Sequence, residues 1–413
     1  MKITIPKSLS ELKHYIRDPL YKNSFLIMLS SISSAIFGFI FWMLAAKLYP
    51  KEDVGIATAL ISSLSLLIML SRFGLDQSII RFFPEKDKSK VFGTAVIITT
   101  FFAVLFGIIF IAGTGIWSPE LNGIKKYAPL YLLFLAVNSI SSLAGTSFVA
   151  LRKAEYYFFQ NLLAGLRIFF LFPLLFLGAI GIFSSVGMAF FITLTFSLFF
   201  LIKSGITPAG IDRKFLNDAF HFSAGNYITG LLITAPNMIL PIMVLNILGA
   251  GKTAHYYIAF AIASLLFMIP GAVSTSLFVE GSHGEALKKI TLKSLFAIFS
   301  LLIPAVIILY FFGGFILNLI GKSYAVAGFN LLRIMALSSF FVAICRIYLS
   351  IKRVQKDIKG LILLSALIFV LLLGLSYVFM LKFGIIGVGY AWMVGYGLGS
   401  LLVGVMVWRE GWV

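Results

Sequence analysis

The chain has 413 residues, 60% of them hydrophobic and only 12% charged, with 43 Phe and a mean hydropathy of +1.04. Soluble domains run nearer about 45–50% apolar and about 25% charged, so every class of water-soluble globule is excluded. The charge is lopsided, 33 Lys+Arg against 15 Asp+Glu for a net +18, and in so apolar a chain it is read first as membrane topology rather than as affinity for nucleic acid.

Residues 1–23 form a basic leader. Leu9, Leu12, Ile16 and Leu20 fall on one side of an interfacial helix, and a partly disordered tail fits the same residues. The first apolar stretch, 24–46, is too long for a signal-peptide core and no small-x-small cleavage site follows it, so it is a membrane helix. Eleven more stretches of about 20 apolar residues follow: 55–71, 91–113, 128–150, 158–178, 183–202, 223–248, 255–278, 294–318, 326–348, 360–381 and 385–408. The runs are continuous, without the strand alternation of a membrane barrel. The expected fold class is therefore all-α and polytopic, with 12 transmembrane helices.

With the N-terminus inside, 24 of the basic residues fall in cytoplasmic segments, seven fall outside, and Arg167 and Arg333 lie within spans. That bias places both termini in the cytoplasm of a multi-pass protein of the cell (plasma or inner) membrane.

The chain also repeats. At an offset of 202, Ile56, Ala57, Ala59, Ser62 and Leu64 match Ile258, Ala259, Ala261, Ser264 and Leu266. At an offset of 200, Arg152-Lys153 matches Lys352-Arg353. Two matches near half the chain length predict two six-helix lobes, 24–202 and 223–413, joined by a cytoplasmic linker over 203–222. An even number of spans per lobe gives a pseudo-twofold along the membrane normal.

Several motifs fail. One cysteine, Cys345, and four dispersed histidines exclude a disulfide and make a metal site unlooked-for; no cofactor is expected. Gly249-Ala250-Gly251-Lys252-Thr253 resembles the tail of a phosphate-binding loop, but Asn246 stands where that pattern needs glycine and no strand precedes it. Gly387-Val388-Gly389 has Trp392 where a dinucleotide fingerprint needs glycine, and small-residue helix packing accounts for it. All fifteen acids lie in loops or at span ends, against a carboxylate proton relay. The longest outer loop, 114–127, is short for a catalytic domain. An enzyme is not expected.

Arg167 and Arg333 each cost about 2.5–3.5 kcal/mol near the bilayer centre. Either they reach an interface or cap carbonyls, or they line a cationic cavity for an anionic substrate group. The 223–248 span carries Pro236-Asn237-Met238-Ile239-Leu240-Pro241, and the next carries Pro270. Each proline removes an amide donor, so kinks or gates are expected at Pro236, Pro241 and Pro270. Asn226 and Asn237 would share a face of a straight helix, and Asn226 also reads as a polar residue near the inner interface. Arg72 and Arg81 bracket Phe73-Gly74-Leu75-Asp76-Gln77 at the inner end of the second span, where ordinary positive-inside anchoring also accounts for them.

The run Lys47-Leu48-Tyr49-Pro50-Lys51-Glu52-Asp53-Val54-Gly55, with Gly74-Leu75-Asp76-Gln77-Ser78-Ile79-Ile80-Arg81-Phe82, resembles the start of Wzx-type polysaccharide flippases of the multidrug/oligosaccharidyl-lipid/polysaccharide exporter superfamily. Tyr257-Ile258-Ala259-Phe260 with Pro270-Gly271, Gly321-Lys322-Ser323-Tyr324 and Leu332-Arg333-Ile334 extend the likeness over almost the whole chain. The resemblance implies a MATE-like fold with spans 1, 2, 7 and 8 bordering a central cavity. It also implies alternating access for a polyprenyl-pyrophosphate-linked oligosaccharide, with membrane lipids and glycan-assembly proteins as partners. Arg72, Arg81, Arg167, Arg333, Asn226 and Asn237 are then the candidate substrate contacts. Two departures bear on them: a position often acidic in relatives is Asn237 here, and the first span has no arginine before Lys47. A drug or small-molecule exporter of the same superfamily and a membrane glycan polymerase are the competing readings.

Overall fold

The computed structural model of the protein describes residues 19–282 and 286–409, and all regular structure among them is helical. The leader lies outside the described residues as far as residue 18. Helix α1 (Pro19–Leu48) stops before Pro50, whose ring cannot continue it and which instead opens α2 (Lys51–Ser71). Glu52 and Asp53 in the first turn of α2 suit its positive end. At the other end the chain reverses through Phe73 and Gly74, both at positive φ (46° and 78°), into the short amphipathic α3 (Leu75–Phe82). Asp87 caps α4 (Lys88–Trp117) by accepting the Ser89 and Lys90 amides. A 3-10 segment, Pro119–Tyr127, fills the expected 114–127 loop and buries Leu121 and Ile124, and α5 (Ala128–Ala150) follows.

The fifth crossing departs from expectation. In place of one helix over 158–178 the chain forms α6 (Ala154–Ala164), a turn, α7 (Arg167–Phe170), and a 3-10 turn at Leu175–Leu177. It still crosses the bundle. Lys153 at its start donates to Ser204 Oγ (2.8 Å) at one end, and Gly178 at its finish lies against the Asp53 carboxylate at the other. The breaks have local causes. A Cβ on Gly165 would sit 2.9 Å from the Phe37 ring, so the chain passes α1 too closely for a side chain there. Pro173 removes a donor, and nearby the Leu171 carbonyl accepts from the Tyr49 hydroxyl (2.6 Å).

The remaining helices are α8 (Gly178–Lys203), α9 (Arg213–Leu248), α10 (Ala250–Ser282), α11 (Leu287–Ile320), α12 (Lys322–Val354), α13 (Ile358–Phe383) and α14 (Ile385–Arg409). Among the described residues eleven helical segments are long and apolar enough to span a membrane, and the broken segment makes the twelfth crossing. α9 begins inside the expected 203–222 linker. Asp212 caps it by accepting the Phe215 amide (3.0 Å), and Phe215 and Ala219 are buried, so tertiary packing recruits the second half of that polar stretch into helix.

α1–α8 and α9–α14 pack mainly among themselves, and the groups meet chiefly where α2 lies against both α9 and α10. The helices matched by the internal repeat, α2 and α10, thus pack on each other, with Ala57 and Ala259 fully buried. Gly55 permits this: a Cβ there would lie 1.9 Å from the Ala250 carbonyl oxygen. Contact between α1 and α10 is slighter. The ends of the bundle differ in charge. One carries Arg72, Arg81, Lys86 and Lys88, and the other, the lysine-poor end, carries Lys47, Lys51, Lys252 and Lys322.

Candidate functional site

Three cavities lie along α2, two of them between the two groups of helices and the smallest within the first group. The one nearest the basic end holds about 430 Å³ and is lined by Ser65, Arg72, Asp76, Gln77, Asn138, Phe190, Asn226, Tyr227 and Thr234, among others. A second, about 360 Å³, lies between α1 and α10 and includes Gly38, Trp42, Arg167, Tyr257 and Ser264. A small third one, about 120 Å³, shares Ser65, Asn138 and Phe190 with the first and Ile61, Val186 and Arg167 with the second. Together they form a chain of spaces from the basic end to mid-bundle, with Arg167 at the junction.

The break in the fifth crossing positions Arg167. It is the first residue of α7, immediately after the turn at Gly165-Leu166. Its guanidinium carbon lies 5.1 Å from the Phe41 ring centre. Opposite it α1 has Gly38, where a Cβ would come within 3.4 Å of Nη2. Its buried Nε has no hydrogen-bond partner, and none of the ion pairs among the described residues includes it. A buried cation with an unused donor is costly unless a partner offsets it.

Arg72 guards the basic end of the same space. Its Nη1 lies 3.7 Å from Asp76 Oδ2, leaving a buried Nε unpaired. The Phe73-Gly74 reversal holds it there. A Cβ on Gly74 would lie 2.5 Å from Ser223 Cβ, and at φ +78° an L side chain is strained as well. Across this seam Ser78 and Ser223 share a hydroxyl hydrogen bond (2.5 Å), Tyr227 donates to the Leu70 carbonyl (2.8 Å), and Lys86 pairs with Asp218 (2.6 Å).

Arg72 and Asn226 therefore line the first cavity, whereas Arg167 lines the second and the small third one, which shares Ser65, Asn138 and Phe190 with the first. Arg81 does not line them: half-exposed, it pairs with Glu85 one turn on and lies over the Phe82 ring. Arg333 is also elsewhere. Its guanidinium carbon sits 4.0 Å from the Phe329 ring centre and 4.8 Å from that of Tyr310, and its Nε donates to the Tyr310 carbonyl (2.9 Å). Asn237 is half-buried and lies outside the three linings, though its neighbour Met238 enters one. Pro236, Pro241 and Pro270 are buried inside α9 and α10, which run unbroken as helices through them. α9 stays helical through Ala235, Pro236, Leu240 and Pro241, all buried, and the interruption of a crossing falls around Arg167.

Sequence reasoning centred on charge and proline missed Ser65, Asn138, Tyr227, Trp42 and Tyr257. Asn138 had a signal, a lone amide about ten residues into the fourth span, as deep as Arg167. The rings of Trp42 and Tyr257 meet edge-on at 4.6 Å and lie toward the lysine-poor end of the second cavity. Nothing in one dimension pairs residues so far apart.

The family described as polysaccharide biosynthesis protein matches residues 20–279, more than half of the chain. A curated relative, a putative O-antigen transporter of Shigella flexneri, is 29% identical over 182 residues, 41% of this chain. The match spans 44% of that relative's length. Among solved structures, the chain is similar to the lipid II flippase MurJ in an inward closed conformation (TM-score 0.74, 17% identity, 92% of this chain and 87% of that one). It is also similar to a multidrug resistance MATE family transporter of the MOP superfamily in its inward-facing conformation (TM-score 0.69, 14% identity, 91% and 95%). The outward-facing conformation of such a transporter aligns with TM-score 0.66 at 14% identity, over 96% and 97%. At these identities the likeness is one of fold. It bears out the MATE-like architecture of 12 crossings.

Proposed function

Because this chain belongs to the polysaccharide biosynthesis protein family, we infer that it is a flippase for a polyprenyl-pyrophosphate-linked oligosaccharide. It carries that substrate from the cytoplasmic to the outer leaflet, for surface polysaccharide synthesis, by alternating access between its lobes. The O-antigen transporter among its relatives and the lipid II flippase among its fold neighbours support the substrate class.

Arg167 is the observation that carries the reading. Its insertion cost of about 2.5–3.5 kcal/mol is offset by no acid, and a pyrophosphate entering the chamber would supply the missing partner. Arg72 offers the same head group a first contact at the basic end, which the Lys/Arg bias assigns to the cytoplasm. Asn226, Asn138 and Ser65 offer donors and acceptors to sugar hydroxyls. The prenyl chain can stay in lipid, because the α1/α10 cavity is lined by Leu265 and Met268, both well exposed on the bundle surface. Among the residues lining the three cavities Asp76 is the one carboxylate, and it already faces Arg72. That argues against export of cationic drugs.

In cells that depend on this protein, Arg167→Ala and Arg72→Ala should each lower surface glycan at least about tenfold, the equivalent of roughly 1.4 kcal/mol. Lipid-linked intermediates should accumulate while the protein inserts in normal amounts. Unchanged glycan in both variants would remove the arginines from the site, and an unchanged intermediate pool on deletion of the protein would overturn the flippase reading itself.

A further inference from the structure

Hydropathy counts Arg346 among the cytoplasmic basic residues, at the inner end of the 326–348 run. The structure carries α12 on to Val354, which leaves Arg346 two turns inside the helix. It is half-buried, and among the described residues it has neither an ion pair nor a hydrogen bond. It stands level with Tyr396, near the middle of α14, because Sγ of the preceding residue, Cys345, lies 3.7 Å from the Tyr396 carbonyl oxygen.

The neighbours of Arg346 fix the direction in which it points. Cys345 faces α14, where its Sγ also lies 3.6 Å from the Ser400 hydroxyl, and Ser350 donates to the Ser274 carbonyl of α10 (2.8 Å). At about 100° per residue, Ser350 stands about 140° round the helix from Cys345, and Arg346 and Arg353 fall between them at about 100° and about 80°. Both arginines therefore look into the groove between α14 and α10, two helices that touch each other little. They lie two turns apart on this face, near enough to repel each other. The wall of the groove is aromatic: Phe267 of α10 stacks on Trp392 of α14 with ring centres 4.8 Å apart, and Trp392 packs on Tyr396 at 5.3 Å.

Two observations point independently to a ligand. The first is that no acid answers the guanidiniums. Asp357, the nearest in sequence, accepts from the Gly360 amide (2.9 Å) and pairs with Lys352 (3.3 Å). Two like charges held on one face without a carboxylate disfavour each other until an anion joins them. The second is Tyr396, only 6% exposed, whose hydroxyl is within electrostatic reach of Arg346 and has no hydrogen-bond partner among the described residues. A hydroxyl so placed is costly to leave unsatisfied.

We propose that Arg346, Arg353 and the Tyr396 hydroxyl form an oxyanion site inside the second lobe, apart from the cavities lined by Arg72 and Arg167. The site takes one phosphate or carboxylate group. The guanidiniums supply charge and planar pairs of N–H donors, the hydroxyl supplies a third direction of approach, and the ring wall limits water. The anion can arrive on a phospholipid headgroup or on an acidic group of the transported molecule, and the chemistry of capture is the same for both. The second source rests on the flippase reading.

The test is calorimetric titration of inorganic phosphate into the full-length protein in uncharged detergent, carried out on the Arg72→Ala, Arg167→Ala background so that the first lobe does not contribute. Saturable binding is expected, weakened about tenfold or more by Arg346→Gln and about threefold or more by Arg353→Gln and by Tyr396→Phe. Lys293→Gln, which removes an exposed lysine of α11 outside the groove, should leave it unchanged. Absence of saturable binding, full binding in Arg353→Gln, or equal loss with Lys293→Gln would overturn the site. Arg353 is exposed, so its replacement reads out even if Arg346→Gln misfolds. Repeating the titration in phosphatidylcholine nanodiscs with and without phosphatidylglycerol separates the sources. Competition by phosphatidylglycerol assigns the site to a lipid headgroup, and undiminished binding assigns it to the transported molecule. Because Arg72 and Arg167 are already absent, failure here leaves the flippase reading untouched.

Discussion

Arg167 and Arg333 are indistinguishable in the sequence, two arginines at similar depth in apolar runs, and opposite in the fold. Arg333 is enclosed by two ring faces and a carbonyl, which satisfies its charge within the protein. Arg167 keeps an unpaired Nε at the meeting point of two cavities. Arg333→Met should therefore lower thermal stability, by roughly 1–2 kcal/mol for the lost ring and carbonyl contacts, while glycan export is maintained. Thermal unfolding of the purified variant beside a surface-glycan assay checks both halves, and lost export at normal protein levels would return Arg333 to the transport site. Hydropathy places both arginines in the membrane. It carries no information about Tyr310, which arrives from the neighbouring helix and decides which of the two is satisfied.

At the scale of elements, the number of crossings was legible because about 20 apolar residues are needed each time, whatever the packing. The interruptions were not. Prolines at 236, 241 and 270 leave continuous helices, whereas the fifth crossing breaks at Gly165, where the chain passes the Phe37 ring of another helix too closely for a side chain. A proline announces its missing donor in one dimension, but a close helix approach is visible only in three. The broken stretch is tied down by the Tyr49 hydroxyl on the Leu171 carbonyl. Tyr49→Phe should cost about 1–3 kcal/mol, the usual penalty for stranding a buried acceptor, measured as a fall in unfolding midpoint. Because α7 carries Arg167, export should fall with it. Full stability in that variant would show that the hydroxyl is not what holds the break in place.

For the whole molecule, the duplicated six-span plan followed from a weak internal repeat, while the packing of α2 on α10 and the seams between the lobes did not. The seam at the basic end is latched by Lys86–Asp218, Ser78–Ser223 and Tyr227 on Leu70. The alternating access proposed above requires this latch to open, so Asp218→Asn should raise the population of molecules separated at this end. Spin labels on introduced cysteines in α3 and α9 should then show an added longer distance, and an unaltered distribution would exclude the ion pair as part of the gate. Cys345, the only native thiol, is buried and does not compete for label.

The slight contact between α1 and α10 gives the bundle a handed perimeter. Along the α2/α9 seam the two lobes are in tight register, whereas beside α1 the second cavity reaches toward the flank through Leu265 and Met268. A molecule confined to the bilayer that finds the chamber by lateral diffusion must then arrive within one sector of the circumference. Any enzyme that releases such a molecule gains by sitting at that azimuth, because a hand-over there replaces a two-dimensional search with a single short step.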